Sequence, residues 1–497
     1  MRPRRGVADQ TAAMTSTLTA GDVDRILALD ATGQAALVRS GELTPEDLLW
    51  VAIDRIERFN PLLNAVVVKA YDQAEKAVRD GLPDGPFRGV PYLLKDLGLE
   101  MAGLSLHEGS AYLKDYVSGR DSVHVTRLRK AGLVVLGRTG SCEFGMKPTV
   151  ETRLHGATHN PWDLARSPGG SSGGSASAVA AGMVPIAGGS DAGGSIRIPA
   201  SACGLFGLKP TRGRNSYAPH YGDVFGGAAC EGVLSRSVRD SAAVLDVTAG
   251  PGLGDPYAAH PPVRPYVDEL GRPVGSLRIA FTRTPADGRT PDPDVVVSVE
   301  RTVDLLESLG HEVFERDLDE LTPDVGKAIG VMYGAAVDWC IRYWTRQLGR
   351  GPRDDELEPM TRALWEGGKA VSAGDYLLSV TDLQAFTRRV AGAMTEFDVW
   401  LSPTVGTPPP LLGAMTETDA DPWRGNDVAG DFVSFPLVTA NVTGNPAMSV
   451  PLGHDSSGLP VGSHFMAGYG REDLLFRLAA QLEDACPWRD RRPTLPG

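Results

Sequence analysis

The sequence predicts an α/β protein in which helices cover a largely parallel β-sheet. An amphipathic helix is expected over Thr44–Asn60, and a run of apolar residues typical of a buried strand follows at Val90–Leu94. The same order returns with a helix at Ser122–Ala131 and a strand at Leu133–Gly137. Helices and strands that alternate through short loops are typical of helices packed on such a sheet.

Each element has a local reason. The first helix starts with a threonine cap followed by proline at the first turn, and Leu48, Leu49, Ala52, Ile53 and Ile56 form its apolar face. Further helices are expected at Ala176–Gly182, Val233–Thr248, Asp294–Leu309 (closed by Gly310) and Arg471–Glu483, with a less regular helical region from about Asp317 to Glu396. Further strands are expected at Val184–Ala187, Leu277–Thr282, Gly310–Val313, Phe397–Ser402, Asn441–Leu452 and Gly458–Ala467.

The order of the elements suggests one catalytic domain. The sequence contains no internal repeat and no low-complexity linker, so residues 21–497 are expected to form a single domain. Residues 1–20 are expected to be a flexible tail, with Met14 as an alternative start. The polar residues 414–431 are predicted to form a surface loop.

Composition narrows the class of protein. Among 497 residues, 42% are apolar and 22% are charged, which is ordinary for a globular protein. The net charge of −13 disfavours nucleic acid or an anionic membrane as a partner, and no apolar run is long enough for a membrane span. Five cysteines without a C-x-x-C pair argue against a disulfide framework or a zinc knuckle and indicate a cytoplasmic protein.

The stretch from Ser167 to Thr211 is the most informative part of the chain. It has two glycine- and serine-rich clusters, Gly169–Ser175 and Gly188–Ser195, separated by small residues typical of a closely packed helix. Glycine permits positive φ and close approach of main chain to ligand. The pattern therefore predicts two loops that present serines, one of them a nucleophile beside free backbone N–H groups.

Lys95 stands at the end of the predicted buried strand Val90–Leu94. It could be a structural lysine that reaches solvent or pairs with Asp96. Alternatively, burial could lower its pKa and make it a general base.

Other catalytic and metal patterns fit less well. Gly169–Gly173 matches the G-x-S-x-G nucleophile elbow, but Pro168 precedes it where that motif requires a strand. No lysine follows a serine in a Ser-x-x-Lys arrangement. His155 and His159 have helical ligand spacing, but Gly156 and Asn160-Pro161 oppose a helix, so these histidines are interpreted as loop or core residues.

Together these segments resemble the amidase signature family. The resemblance rests on Gly169–Ser175, on Gly189–Pro199 with Cys203-Gly204, and on Gly207–Thr211. The flanking matches are Gly89–Asp96, Gly137–Thr139, Glu143-Phe144, Asn160-Pro161, Asn441–Pro451 and Gly458–Gly462, so that the resemblance extends from about Asp30 to the C-terminus. It implies a large mixed, twisted β-sheet flanked by helices on both faces.

The resemblance also implies a serine amidohydrolase with a Ser–cis-Ser–Lys triad and neither cofactor nor metal. By position, Ser195 is the nucleophile, Ser171 the cis-serine and Lys95 the base. The oxyanion donors are the N–H groups of Ala192, Gly193, Gly194 and Ser195. Ser172, Ser190, Asp191 and Arg197 either tie the two loops together or take part directly in the chemistry.

Within the family, the chain is similar to the 6-aminohexanoate cyclic-dimer hydrolases. The shared segments are Leu37–Gly41, Gly89–Leu97, Leu208–Gly213, Gly468–Leu474 and Arg491–Pro493. The resemblance implies a small-molecule amide as substrate, and a homodimer. A broad aliphatic or aryl amidase, an esterase, a carbamate hydrolase and an amidotransferase A-type subunit remain alternatives. The signature core is expected at about residues 89–250 and the substrate-pocket region at about residues 311–435.

Overall fold

The computed structural model describes residues 18–285, 287–316 and 325–496. Most of the expected N-terminal tail, residues 1–17, and the start of the expected helical region, residues 317–324, lie outside this range. Thr19 caps the first described helix. The described α-helices are Ala20–Ala28, Ala31–Ser40, Pro45–Leu63, Tyr71–Asp80, Val123–Lys130, Gly173–Ala180, Arg197–Cys203, Val238–Thr248, Pro293–Ser308, Gly326–Leu348, Pro359–Gly368, Ala373–Ala393, Asn426–Phe432, Val438–Thr443 and Glu472–Ala485.

Thirteen described strands form two sheets. The strands are β1 (Val66–Lys69), β2 (Pro91–Lys95), β3 (Val134–Thr139), β4 (Glu151–Thr152), β5 (Gly156–Ala157), β6 (Ile186–Asp191), β7 (Phe206–Lys209), β8 (Cys230–Ser235), β9 (Arg278–Phe281), β10 (Glu312–Glu315), β11 (Val399–Pro403), β12 (Ala447–His454) and β13 (Pro460–Ala467). The large sheet has 11 strands in the order β1-β3-β2-β6-β8-β7-β12-β13-β11-β9-β10, and β4 and β5 form a small hairpin.

The large sheet is mixed, as the family resemblance implies, and the expectation of a largely parallel sheet is wrong. β2 runs parallel to both β3 and β6, and β9 runs parallel to β10 and β11. Between these parallel groups, β6, β8, β7, β12 and β13 pair antiparallel in succession. Helix and strand alternation alone does not fix strand direction, because a helix can also connect antiparallel strands.

Helices cover both faces of the sheet around β2. Leu93 packs in a core cluster with residues of the helices Pro45–Leu63 and Gly173–Ala180. Its neighbours Tyr92 and Leu94 pack in a second cluster with residues of the helix Val123–Lys130. Successive strand side chains point to opposite faces, so this division shows that β2 is buried between two helical layers.

Four predicted boundaries differ from the structure. The segment Gly188–Asp191, expected as a loop, continues β6, because glycines let the neighbouring strand's Tyr92 lie close: a Cβ on Gly188 would be 2.8 Å from the tyrosine oxygen. Residues 233–235 belong to β8 rather than to a helix, and residues 441–443 are helical rather than strand. The loop expected at 414–431 also contains the start of the helix Asn426–Phe432.

No helix within the described residues is long and apolar enough to cross a membrane.

Candidate active site

Lys95 is the last residue of β2 and lies inside the protein, 1% exposed. Its Nζ is 2.7 Å from Ser171 Oγ and 2.9 Å from Ser190 Oγ. Because β2 and β6 are parallel neighbours, their carboxyl ends meet at one edge of the sheet. This topology places Lys95 beside the end of β6, where Ser190 lies.

Ser171 lies in the turn before the helix Gly173–Ala180, and the Gly170–Ser171 peptide bond is cis. The turn fits closely against its surroundings. A Cβ on Gly170 would lie 2.6 Å from the backbone nitrogen of Thr149, and Gly169 has a φ of 76°. These two positions require glycine, and they direct the buried Ser171 hydroxyl toward Lys95.

Ser195 lies in the loop between β6 and the helix Arg197–Cys203. Its carbonyl oxygen accepts a hydrogen bond of 3.2 Å from the Ser172 N–H. Ser172 Oγ in turn accepts from the Ser190 N–H at 3.3 Å. Ser172 therefore links the loop that carries Ser171 to the strand and loop that carry Ser190 and Ser195.

A fully buried ion pair holds the Ser195 loop. Arg197 donates from Nε and Nη2 to the two carboxylate oxygens of Asp191 at 2.9 Å, and neither side chain is exposed to solvent. Although burial acts to raise the pKa of Asp191, the Arg197 guanidinium holds that pKa well below its usual range. The Asp191 carboxylate also accepts the N–H groups of Gly194 (2.7 Å) and Ile196 (3.1 Å), which fixes the backbone on both sides of Ser195.

Two residues from distant elements complete this ion pair. Asn441 donates to Asp191 Oδ1 at 2.9 Å and accepts from Arg197 Nη2 at 2.6 Å. His464 on β13 places Nε2 2.9 Å from Arg197 Nη1. Burial lowers the pKa of His464 well below its usual value, so the ring is neutral and Nε2 can accept this hydrogen bond.

Burial also shifts the pKa values of the ionisable groups near the serines. It lowers the pKa of Lys95 to about 8, which leaves an appreciable neutral fraction near neutral pH. Burial raises the pKa of Glu231 to about 8, and that of Glu108 to about 7. Near neutral pH the site therefore contains a lysine that is partly neutral and a Glu231 carboxyl group that is largely protonated.

Ser171 and Ser195 both line a cavity of about 690 Å³, including the part that is open to solvent. Ser190, Asp191 and Ala192 also line the cavity, and together with Ser171 and Ser195 they are called its floor below. The rest of the lining, called the wall below, is mainly apolar and aromatic: Leu97, Phe144, Met146, Tyr217, Tyr221, Val224, Phe225, Ala229, Tyr333, Trp339 and Cys340. It also includes the carboxyl groups of Glu108 and Glu231. Serine hydroxyls that line a mainly apolar cavity, one of them in contact with a buried lysine, are the kind of groups that carry out acyl transfer on an uncharged substrate.

Comparison with known proteins identifies the family. A model of the Amidase family matches residues 47–476. The chain belongs to this family. The 6-aminohexanoate-cyclic-dimer hydrolase of Paenarthrobacter ureafaciens is 39% identical over 479 residues, which cover 94% of this chain and 96% of that protein.

Solved structures agree with this assignment. A 6-aminohexanoate cyclic dimer hydrolase has a TM-score of 0.90 with 38% identity, covering 94% of this amidase and 99% of that chain. A bacterial aryl acylamidase of the amidase signature family has a TM-score of 0.84 with 27% identity, covering 94% and 99%. The protein is thus an amide C–N hydrolase with the amidase signature fold, as the sequence resemblance implied.

The amidase structure brings the sequence-predicted residues together at one edge of the sheet. Lys95 contacts Ser171 and Ser190, and Ser195 shares their cavity. The predicted oxyanion donors Ala192, Gly193, Gly194 and Ser195 form one loop, in which the Gly194 N–H is engaged by Asp191. Asp191 and Arg197 hold this loop through the hydrogen bonds described above.

Asn441, His464, Glu108 and Glu231 were not among the predicted site residues, and Glu108 and Glu231 line the cavity. Tyr333 donates to the Ala192 carbonyl oxygen at 3.1 Å. Asn441 lies in the segment Asn441–Pro451, which resembles the family pattern, so the sequence did mark this residue as a candidate for the site. The expected pocket region 311–435 contributes Tyr333, Trp339 and Cys340, but most of the lining comes from residues 97–146 and 217–231.

Proposed function

We propose that this amidase hydrolyses amides through an acyl-enzyme on Ser195, with Ser171 as proton relay and Lys95 as base. The observation that carries the proposal is the 2.7 Å contact between Lys95 Nζ and Ser171 Oγ at the floor of the cavity that Ser195 also lines. A lysine that burial keeps partly neutral is suited to take a proton from a neighbouring hydroxyl.

The reaction proceeds in two halves. Neutral Lys95 takes the proton of Ser171, which takes that of Ser195, while Ser195 Oγ forms a bond to the substrate carbonyl carbon. The C–N bond then breaks, and the relay returns the proton through Ser171 to the leaving amine. Water attacks the resulting ester, gives its proton to the relay, and releases the carboxylic acid and free Ser195.

Backbone N–H groups stabilise the tetrahedral intermediates. Ala192, Gly193, Gly194 and Ser195 are the proposed donors to the oxyanion. Since Asp191 already accepts from Gly194 at 2.7 Å, the N–H groups of the other three are the principal donors. One such donor is typically worth about 3–4 kcal/mol of activation free energy.

The substrates we propose are linear or cyclic 6-aminohexanoate-type oligomers, with primary amides and small esters as side activities. Two features support this choice: the similarity to a 6-aminohexanoate-cyclic-dimer hydrolase over 94% of the chain, and the apolar lining that a methylene chain requires. The aromatic side chains of that lining, among them Tyr217, Phe225 and Trp339, equally favour an aryl amide, which is the second candidate. Aliphatic amides, esters and carbamates are further alternatives.

We also propose that the protein works as a cytoplasmic homodimer without cofactor or metal in the reaction. All five cysteines are free thiols, which fits a reducing compartment. Size-exclusion chromatography with light scattering gives the oligomeric state. Turnover by the purified single chain would separate a self-sufficient hydrolase from an amidotransferase A-type subunit, which needs its complex.

The deciding experiment incubates the purified chain separately with 6-aminohexanoate cyclic dimer, benzamide, a simple ester and a carbamate, and follows the products by mass spectrometry. We expect the cyclic dimer to open to the linear acid with the addition of one water. Consumption of benzamide alone would reject the oligomer substrate and leave the triad intact. Consumption of only the ester or carbamate would reject the amide preference.

A further inference from the structure

A second cluster of chemically active side chains lies outside the proposed catalytic residues. Asp96 directly follows β2, His107 lies in the segment after it, and His155 lies in the turn between β4 and β5. Asp96 is completely buried, whereas the side chains of His107 and His155 are 13% and 17% exposed. Three separate segments thus contribute one ligating group each to a site that reaches solvent.

The geometry of the cluster fits a metal ion. His107 Nδ1 and His155 Nε2 are 3.2 Å apart, and each is 3.9 Å from Asp96 Oδ2. Metal ligands with bonds of about 2.0–2.2 Å lie roughly 3.0–3.5 Å from one another in octahedral or tetrahedral sites. A shift of about half an ångström in the Asp96 carboxylate would therefore bring all three atoms to bonding distance of one ion.

One buried atom of the cluster has no hydrogen-bond partner among the described residues. Asp96 Oδ1 accepts a hydrogen bond of 2.9 Å from the backbone N–H of His107. Asp96 Oδ2, in contrast, is buried without a hydrogen-bond partner among the described residues. A hydrogen bond between the two imidazoles would account for their 3.2 Å contact and would still leave Oδ2 unsatisfied. A buried carboxylate oxygen without a partner is costly, and a cation would satisfy it together with both ring nitrogens.

We propose that Asp96, His107 and His155 form a binding site for one divalent transition-metal ion of the Zn²⁺ type. Two imidazoles and one carboxylate select ions such as Zn²⁺ or Co²⁺ over Mg²⁺ or Ca²⁺, which prefer oxygen ligands only. The bound ion joins the end of β2 to the His107 segment and to the β4–β5 hairpin. Its role is to stabilise this side of the cavity, and it is independent of the hydrolysis proposed above.

The test uses the full chain, with any polyhistidine tag removed and with bound metal stripped by a chelator. Titration with ZnCl₂ in a calorimeter should show one ion per chain, and Zn²⁺ should raise the melting temperature. His107→Asn and His155→Asn should each weaken binding by at least about 100-fold, because each removes a direct ligand. The exposed His454 serves as matched control, and His454→Gln should bind Zn²⁺ as the unaltered chain does.

A second measurement avoids dependence on variants that fold poorly. X-ray absorption on the Co²⁺-loaded, unaltered chain should show imidazole scattering from two histidines. Absence of Zn²⁺ binding, oxygen-only ligation of Co²⁺, or binding that survives substitution of both His107 and His155 in folded protein would each overturn the proposal.

Discussion

The floor of the active-site cavity and its wall are built in different ways. At the floor, Ser171, Ser190 and Ser195 belong to short, glycine-rich segments that are connected by hydrogen bonds to one another and to the buried Asp191–Arg197 pair. Six hydrogen-bond donors from four residues converge on the Asp191 carboxylate. A buried network in which these hydrogen bonds are all satisfied makes the backbone rigid and favours a single arrangement of it.

The wall is held mainly by ring contacts. Tyr221 packs against Trp339 at 5.3 Å between ring centroids and against Tyr343 at 4.9 Å, and Phe225 packs against Tyr333 at 5.5 Å. Contacts of this kind are worth about 0.5–1.5 kcal/mol each and tolerate replacement better than a buried ion pair does. We infer that the floor determines the reaction and the wall determines the acyl and amine groups accepted.

The largest effect is expected from Ser195→Ala. The substitution removes the proposed nucleophile and should lower kcat by at least about 10⁴-fold, while the fold remains intact. A fluorophosphonate probe should label the unaltered protein on Ser195 and should not label the variant, as mass spectrometry of the labelled peptide would report. Labelling that persists on Ser171 or Ser172 would assign the nucleophile to the other loop.

Lys95→Arg should have the next largest effect. The guanidinium keeps its proton, so general-base catalysis is lost and kcat/KM should fall by about 10²–10⁴-fold. In the unaltered protein Lys95 has a pKa of about 8, lowered by burial. The neutral base becomes more abundant as pH rises, so activity should increase through pH 8 and then level off.

Glu231 provides the control for this profile, because burial raises its pKa to about 8 as well. Glu231→Gln removes the titration of this carboxyl group. If Lys95 is the base, activity in this variant should still fall as the pH is lowered below 8. If the fall in activity at low pH disappears in Glu231→Gln, or if Lys95→Arg keeps near-normal activity, Lys95 is a structural residue and not the base.

The floor was more predictable from sequence than the wall for a physical reason. Gly170 and Gly194 are needed where they stand because a side chain at either position would meet neighbouring atoms within 3 Å. A glycine-rich motif therefore carries the geometry of the floor in adjacent positions. The wall needs only apolar bulk, which Tyr217, Phe225 and Trp339 supply from two distant segments, and no spacing in the sequence marks them.

The same distinction applies to the fold and to the histidines. Helix and strand positions follow from local periodicity, but strand direction depends on pairing between β6, β8 and β7, which local patterns do not encode. In the sequence His155 has helical ligand spacing with His159, whereas tertiary structure brings it next to Asp96 and His107. Residues joined only by tertiary contact leave no periodic signal.

Asp191→Asn tests whether the floor depends on its ion pair. The substitution keeps the shape of the side chain but leaves the buried Arg197 charge uncompensated. Breaking one partner of such a pair typically costs about 3–5 kcal/mol of unfolding free energy. The urea midpoint should fall accordingly, and activity should fall with it because the Ser195 loop loses its support.

Glu42→Gln is the matched control, since Glu42 pairs with Arg25 at 2.8 Å but both side chains are about half exposed. Ion pairs between exposed side chains contribute little to stability, so this variant should have a urea midpoint close to that of the unaltered protein. Equal urea midpoints for Asp191→Asn and Glu42→Gln would contradict the view that the ion pair holds the floor.

The smallest effect is expected from the wall. Trp339 lines the cavity and is 39% exposed, so Trp339→Ala removes apolar surface without disturbing Lys95 or the serines. For a long-chain amide substrate, KM should rise about tenfold, the loss expected for a few methylene groups that no longer contact the ring. For acetamide, which is too short to reach the wall, both kcat and KM should stay within about twofold, because the Ser195 loop is unchanged. Trp423, 47% exposed and outside the cavity lining, is the matched control, and Trp423→Ala should leave both substrates unaffected. If Trp339→Ala lowers kcat equally for the long and the short amide, the wall contributes to the transition state itself, and the division between a catalytic floor and a selective wall fails.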